Sequence, residues 1–305
     1  MKIKWQWIRP KCLLLCVLFQ LIRLLVICFP YRWQMHFGAC LGRLSYPFLK
    51  RRKNIAMINL KIAFPDKDAD EIEKLCKKCF ESIAISGIEM MIAWFMPKKR
   101  FNRIQIDFHG AGPFDKAHND GQQGVLLLGA HFTCMEIIGR YMGERYDNFY
   151  LVYQKHNNDC FEKLMTDKRE SYVSGCLQRK NVVSIVKALK RSASVWYAPD
   201  QDFGQKRSIF VPFFGKECAT LVATSWLAAK TSAKVLPCYY TRKPNFKGYD
   251  FYILPALDDF PSGDDYEDAV RYHQILEQAI AQHPEQYLWQ HRRYKTRPEG
   301  EKAIY

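Results

Sequence analysis

The sequence is poor in acidic side chains: 31 Asp and Glu stand against 46 Lys and Arg, which leaves a formal charge of +15. Such a surface attracts an anionic partner, with nucleic acid, anionic lipid and an acidic carrier protein as candidates. No Gly-rich phosphate loop, recognition-helix signature or paired zinc motif accompanies the charge, so nucleic acid ranks last. A low-complexity arm is also missing. The basic residues fall instead in short clusters, Lys50-Arg51-Arg52-Lys53, Lys98-Lys99-Arg100 and Arg292-Arg293-Tyr294-Lys295, for which scattered solvated charge is the plain alternative.

Internal repeats and long flexible linkers are absent, which excludes a solenoid and points to an anchor over residues 1–30 followed by a catalytic domain over 31–305. The 11 cysteines are odd in number, and Cys12, Cys16, Cys28 and Cys134 lie in apolar stretches. That is not a secreted disulfide framework, and a reducing compartment fits better. Cys76-Lys77-Lys78-Cys79 has no second pair and sits at helical period, so it reads as reduced thiols on a helix face.

The longest apolar run, Cys12 to Phe29, is broken by Gln20 and Arg23 and followed by Pro30. At 1.5 Å per residue it reaches about 27 Å, just short of a hydrocarbon core. No small-residue cleavage site follows it, so removal as a secretory signal is not expected. Lys2, Lys4, Arg9 and Lys11 before the run favour a cytoplasmic N-terminus, and a full span would then export everything after Pro30. The cysteines argue against export, so either the helix spans with its N-terminus outside, against its charge bias, or it lies at the inner face with Arg23 snorkelling and the basic clusters on anionic headgroups; shallow insertion is the favoured arrangement. Trp5, Trp7, Tyr31 and Trp33 suit an interfacial belt in both arrangements.

What is present reads as α/β. Ile72, Leu75, Cys76, Cys79, Phe80, Ile83, Ile88, Met91, Ile92 and Phe95 recur at three and four, predicting an amphipathic helix that ends near Pro97. Beyond Phe101, strands are expected at Val125–Leu128, Phe149–Tyr153, Ser194–Ala198, Lys234–Tyr240 and Tyr249–Leu254. Helices are expected at Phe132–Met142, Asn181–Arg191, Ala219–Thr231 and Asp265–Gln282. This alternation implies a central, mostly parallel sheet flanked by helices, with ligand sites at the carboxyl ends of its strands.

At one such end, Val125-Leu126-Leu127-Leu128-Gly129-Ala130-His131 places a histidine at the turn into a helix carrying Glu136. The spacing lets Glu136 reach back to Nδ1 and leave Nε2 facing the cleft as a base. A hydroxyl deprotonated there attacks a thioester directly, without a serine or cysteine nucleophile. His followed by an acid five residues on is a weak pattern by itself, but His131 alone among the eight histidines follows an apolar strand and opens a helix. A structural histidine is the alternative.

Further motifs accompany it: Val152-Tyr153, Trp196-Tyr197-Ala198-Pro199-Asp200-Gln201-Asp202, Phe210-Val211-Pro212-Phe213-Phe214-Gly215, and Pro284 through Pro298. With these the chain resembles the late, Kdo-dependent acyltransferases of lipid A biosynthesis, of the lauroyl, palmitoleoyl and myristoyl transferase type, over almost its whole length. The resemblance implies transfer of a fatty acyl chain from acyl carrier protein to a hydroxyl of a Kdo-bearing lipid A precursor at the cytoplasmic face of the inner membrane. No metal or organic cofactor is implied. His131 and Glu136 match the family's catalytic histidine and acid, and Arg169 a further arginine near the site, able to bind a phosphate or polarise the thioester oxygen. Asp200 and Asp202 are candidates to anchor Arg169 or sugar hydroxyls. Asn158 is a candidate acceptor contact, as are Arg292 and Arg293 beside Tyr287 and Trp289, either at the phosphorylated disaccharide or at headgroups. Phe210, Phe213 and Phe214 are candidates for an acyl channel. One departure stands out: where many members carry an arginine, this chain has Gln154, with Lys155 next to it. A lysophospholipid or aminolipid acyltransferase and a non-catalytic basic membrane adaptor are the competing readings.

Overall fold

The computed structural model describes the backbone from residue 10 and the side chains from residue 12, through residue 305. Lys2, Lys4, Trp5, Trp7, Arg9 and the side chain of Lys11, expected to flank the first helix, lie outside the described residues. Four helices open the chain: α1 (Pro10–Cys28), α2 (Tyr31–Ser45), α3 (Lys50–Ala63) and α4 (Ala69–Phe95). After the short α5 (Lys98–Phe101) come β1 (Ile106–His109), α6 (Ala111–Asn119), β2 (Val125–Leu128), α7 (Met135–Arg145), β3 (Phe149–Tyr153), α8 (Asp159–Arg169), β4 (Gly175–Gln178), α9 (Val182–Lys190) and β5 (Ser194–Tyr197). The chain continues through β6 (Ser208–Phe213), β7 (Lys216–Leu221), α10 (Ala223–Thr231), β8 (Lys234–Arg242), β9 (Tyr249–Ile253) and α11 (Asp265–Gln282).

The central sheet has the order β1-β9-β8-β2-β5-β3-β4. Its five strands from β8 to β4 are parallel, and β9 runs antiparallel to β8. The middle strand β2 reads Val-Leu-Leu-Leu and is buried at every position, as a strand covered on both faces must be. From β2 the chain moves through α7 to β3 and through α8 to β4, then returns through α9 to β5 and, after the hairpin, through α10 to β8. Right-handed crossovers place outgoing and returning helices on opposite faces. The crevice between the carboxyl ends of β2 and β5 is therefore the switch point of the sheet.

The amphipathic helix predicted to end near Pro97 is α4. It starts on a capping box, in which Asp68 accepts from the Glu71 N–H at 2.8 Å and Glu71 accepts from the Asp68 N–H at 3.0 Å, and it ends at Met96 before Pro97. The helix expected at Ala219–Thr231 begins only at Ala223. Ala219 to Leu221 belong to β7, which pairs with β6 around a two-residue turn, Phe214-Gly215, with φ of 49° and 71°. Both positive φ values match the turn type whose twist suits a hairpin, and Gly215 adopts its own without strain. Hairpin pairing with β6, invisible to the periodicity of the segment itself, overrode the helical reading.

Among the described residues no helix is long and apolar enough to cross a membrane. Gln20 and Arg23 interrupt the apolar stretch of α1 and pair with each other at 3.2 Å. One side of α1 is also spent on protein: Phe19 packs against Trp94, Phe95 and Phe161. Arg100 donates to the carbonyls of Val26, Ile27 and Phe29, closing the open end of the helix. One basic cluster thus has a structural member. A disulfide joins Cys12 to Cys160 at the start of α8, where reduced thiols were expected; 148 residues separate the two, so spacing gave no hint of it. Cys76 and Cys79 are unbridged and buried on α4. The outer surface of α1, α2 and the turn after α2 is bare: Leu14 is 82% exposed, Trp33 69% and Phe48 81%, with Leu24, Phe37 and Leu44 also open.

Candidate active site

His131 and Asp200 meet at the switch point because of strand register. Leu128 of β2 lies opposite Tyr197 of β5, and each chain runs three residues further to reach the pair. The Asp200 carboxylate accepts from the His131 backbone N–H at 2.9 Å, and its other oxygen lies 2.6 Å from Nδ1. That contact fixes the proton on Nδ1 and leaves Nε2 as the base. Asp200 is 1% exposed and also accepts from the Tyr287 hydroxyl at 3.0 Å. Burial alone would raise its pKa, but the His131 charge and the hydrogen bonds prevail and hold it at about 2. For His131, burial pulls the pKa down while the Asp200 charge and hydrogen bond push it up, with a net rise.

The turn carrying His131 is tied down on every side. Tyr272 donates to the Gly129 carbonyl at 2.7 Å and Tyr240 to that of Ala130 at 2.8 Å. Thr133 N–H donates to the Gln286 carbonyl, and the Thr133 hydroxyl meets Ser82 at 2.8 Å. Behind Ser82, a buried bidentate pair joins Arg242 of β8 to Glu89 of α4 at 2.7 and 2.6 Å, with Tyr249 donating to the same carboxylate. A side chain at Gly129 would strike the Trp196 indole at 2.4 Å. That ring lies edge-on to the His131 imidazole, 6.5 Å between centroids.

The expectation that Glu136 holds Nδ1 is corrected by this geometry. Glu136, in the first turn of α7, instead pairs with the Arg169 guanidinium and accepts from the Trp94 indole N–H at 3.2 Å. Both partners of the ion pair are buried. Burial opposes the Arg169 charge, and Glu136 more than restores it. Asp200, expected as an anchor for Arg169 or sugars, is the carboxylate at His131.

Other candidates are engaged elsewhere. Asp202 accepts from Gly204 N–H and from the Thr296 N–H and hydroxyl, all within 2.9 Å, so it ties down the C-terminal segment and is not open to a sugar. Asn158 caps α8 through Cys160 N–H and Phe161 N–H, both at 3.0 Å. Arg293 is buried, donating to Ala219 O, Thr220 Oγ1 and His273 Nε2, and so staples the hairpin; a phosphate cannot reach it. Arg292 is exposed. Tyr287 and Trp289 are core residues. Phe213 packs on His273 and Tyr287, and Phe214 on Phe64 and Trp289, which removes both from an acyl channel.

Two cavities meet at His131, Tyr153, Gln154 and Trp196. One is a groove of about 1240 Å³, apolar at Val182, Leu221 and Trp226, with Arg179, Lys180, Lys206 and Arg207 among its walls. The other is a chamber of about 180 Å³ under α7, with Leu127, Ile138, Leu151 and Met165 in its lining and Glu136 and Arg169 in its wall. At the departure Gln154, Arg179 donates to the amide oxygen at 3.2 Å while its guanidinium lies over the Phe203 ring. A cation therefore stands beside position 154, supplied from the end of β4 and missed in the sequence because nothing local links the two.

A polarised histidine between an amphiphilic groove and an apolar chamber suits acyl transfer. Known proteins agree. Residues 2–296 match the family model described as bacterial lipid A biosynthesis acyltransferase. The chain is 38% identical over 277 residues to the lipid A biosynthesis palmitoleoyltransferase of Escherichia coli K12, covering 90% of this chain and 89% of that one. It is 36% identical over 282 residues to the lauroyltransferase of the same organism, covering 92% and 91%. With a lipid A biosynthesis acyltransferase of Haemophilus influenzae it shares 32% over 279 residues, 90% and 88% of the two chains. The chain belongs to the bacterial lipid A biosynthesis acyltransferase family and is an acyltransferase of lipid A biosynthesis.

Proposed function

We propose that the protein transfers a fatty acyl chain from acyl carrier protein thioester to a hydroxyl of a Kdo-bearing lipid A precursor, Kdo2-lipid IVA fitting best. The observation that carries this reading is the His131–Asp200 pair at the junction of the two cavities. The acceptor hydroxyl gives its proton to His131 Nε2 as its oxygen attacks the thioester carbonyl. The imidazolium that forms is stabilised by Asp200. Collapse of the tetrahedral intermediate breaks the carbon–sulfur bond, and the departing thiolate takes the proton from His131. Glu136 and Arg169 act as a buried pair that sets the wall of the chamber beside the reacting groups.

The basic residues of the large groove suit a phosphorylated saccharide, and its apolar wall suits the acyl chains already on it. The exposed apolar side of α1 and α2 supports attachment to a membrane by shallow insertion, with Trp33 at the interface, and the cytoplasmic face of the inner membrane is the location that goes with acyl carrier protein as donor. Purified protein given acyl carrier protein thioester and the tetra-acylated Kdo-lipid should add one acyl chain by mass spectrometry, and His131→Ala should add none. Equal products from wild type and His131→Ala would end the catalytic reading. For attachment, Trp33→Glu with Phe37→Glu should lower co-flotation with anionic vesicles; unchanged flotation would remove this surface from membrane binding.

A further inference from the structure

The relatives named for palmitoleoyl and for lauroyl transfer are about equally similar to this chain, so chain length is a matter for the cavity itself. The chamber under α7 has a direction. Leu127, Leu151 and Trp196 are paired across β2, β5 and β3 and so face one side of the sheet. Over that side, α7 leaves the His131 turn and runs back toward the amino ends of the strands. Met135 and Gln154 therefore lie at the end near His131, and Met142 and Phe149 at the far end. From Glu136 to Met142 the helix rises about 9 Å, and from Phe149 to Tyr153 the strand rises about 13 Å. At about 1.3 Å per methylene of an extended chain, that depth takes roughly seven to ten carbons beyond the carbonyl end.

Two glycines on α7 differ in their reasons. A side chain at Gly143 would strike the Tyr172 carbonyl oxygen at 2.3 Å, so close packing demands glycine there. At Gly139 the nearest atom to an added Cβ is Leu151 Cδ1, at 3.7 Å, an ordinary contact. Alanine would fit and would favour the helix. What glycine keeps at this position is open volume halfway down the chamber, and what closes the bottom is Met142, 1% exposed.

We infer that this chamber takes the hydrocarbon tail of the donor, and that the space left by Gly139 and the stop formed by Met142 set the length of chain transferred. The inference rests on the proposed acyl transfer and names where that reaction measures its donor. The wild type, Gly139→Leu and Met142→Ala are each assayed with a series of saturated acyl carrier protein thioesters rising by two carbons, using the Kdo-lipid acceptor. Each methylene denied burial is worth about fourfold, so a two-carbon step shifts the ratio of kcat/KM values by about fifteenfold. Gly139→Leu should shift the ratio toward shorter chains and Met142→Ala toward longer ones. Because Met142→Ala removes bulk instead of adding it, it carries the test by itself if Gly139→Leu does not accumulate as folded protein. Transfer at wild-type chain-length ratios in Met142→Ala would overturn the inference while leaving the function intact. Absence of transfer by the wild type with every donor would overturn the functional reading and this inference with it.

Discussion

Replacing Asp200 by Asn keeps the shape at the switch point and removes one charge. In the native site the carboxylate is buried, sits 2.6 Å from His131 Nδ1 and raises the histidine pKa against the burial that would lower it. A base works in its neutral form, so wild-type kcat/KM should rise with pH through a value above the ordinary 6.5 of histidine. In Asp200→Asn the burial effect is unopposed, and the acidic limb should move below pH 6.5. The plateau should fall at the same time, because the imidazolium formed on proton abstraction loses a charged hydrogen bond worth about 1.5–3 kcal/mol, or roughly ten- to 150-fold in rate. If the amide presents its NH2 to Nδ1 and reverses the tautomer, the loss grows toward about 10⁴-fold. Glu136→Gln serves as the control: it should lower activity by loosening Arg169 without moving the limb. The assay is kcat/KM against pH for the three proteins with saturating acceptor. An unmoved limb in Asp200→Asn together with a displaced one in Glu136→Gln would refute the assignment and return the orienting role to Glu136.

Two further outcomes concern stability. His273 accepts from Arg293 through Nε2 and contacts the Pro212 carbonyl through Nδ1; burial first, and the Arg293 charge second, push its pKa down to about 3. The unfolded chain binds this proton below about pH 6.5 and the folded one does not, so stability should fall as pH drops from 6.5 toward 3, by up to about 1.4 kcal/mol per pH unit from this group. Tm against pH should be less steep in His273→Gln, and parallel curves would contradict the assignment. Glu89→Ala leaves the Arg242 guanidinium buried without its carboxylate, which should cost about 3–5 kcal/mol; a Tm within 1–2 °C of wild type, by calorimetry, would show that water or another group takes over.

The strands at Val125 and Phe149 and the helix at Asp265 start where the sequence placed them, because a buried apolar run and an N-cap are local signals. The hairpin that converts Ala219 to Leu221 from helix to strand depends on a partner ten or so residues away in sequence and was not legible. Arg293 and Tyr287 illustrate the same limit for side chains. A basic and aromatic motif reads as a ligand surface, yet Arg293 meets Ala219 and Thr220, and Tyr287 meets Asp200, inside the fold. Whether a motif faces solvent or core is settled by packing partners that the motif does not contain.

The histidine at the mouth of a sheet, the α/β class and the family were determined by the sequence, since each rests on residues adjacent in the chain or on motifs spread along it. The carboxylate that serves His131 was decided only by the tertiary structure. Glu136 is five residues away along the chain, but Asp200, 69 residues away, is the neighbour in space, because β2 and β5 pair so that their ends arrive together. Sequence spacing measures reach along one element; hydrogen-bond register between two strands is a property of neither alone.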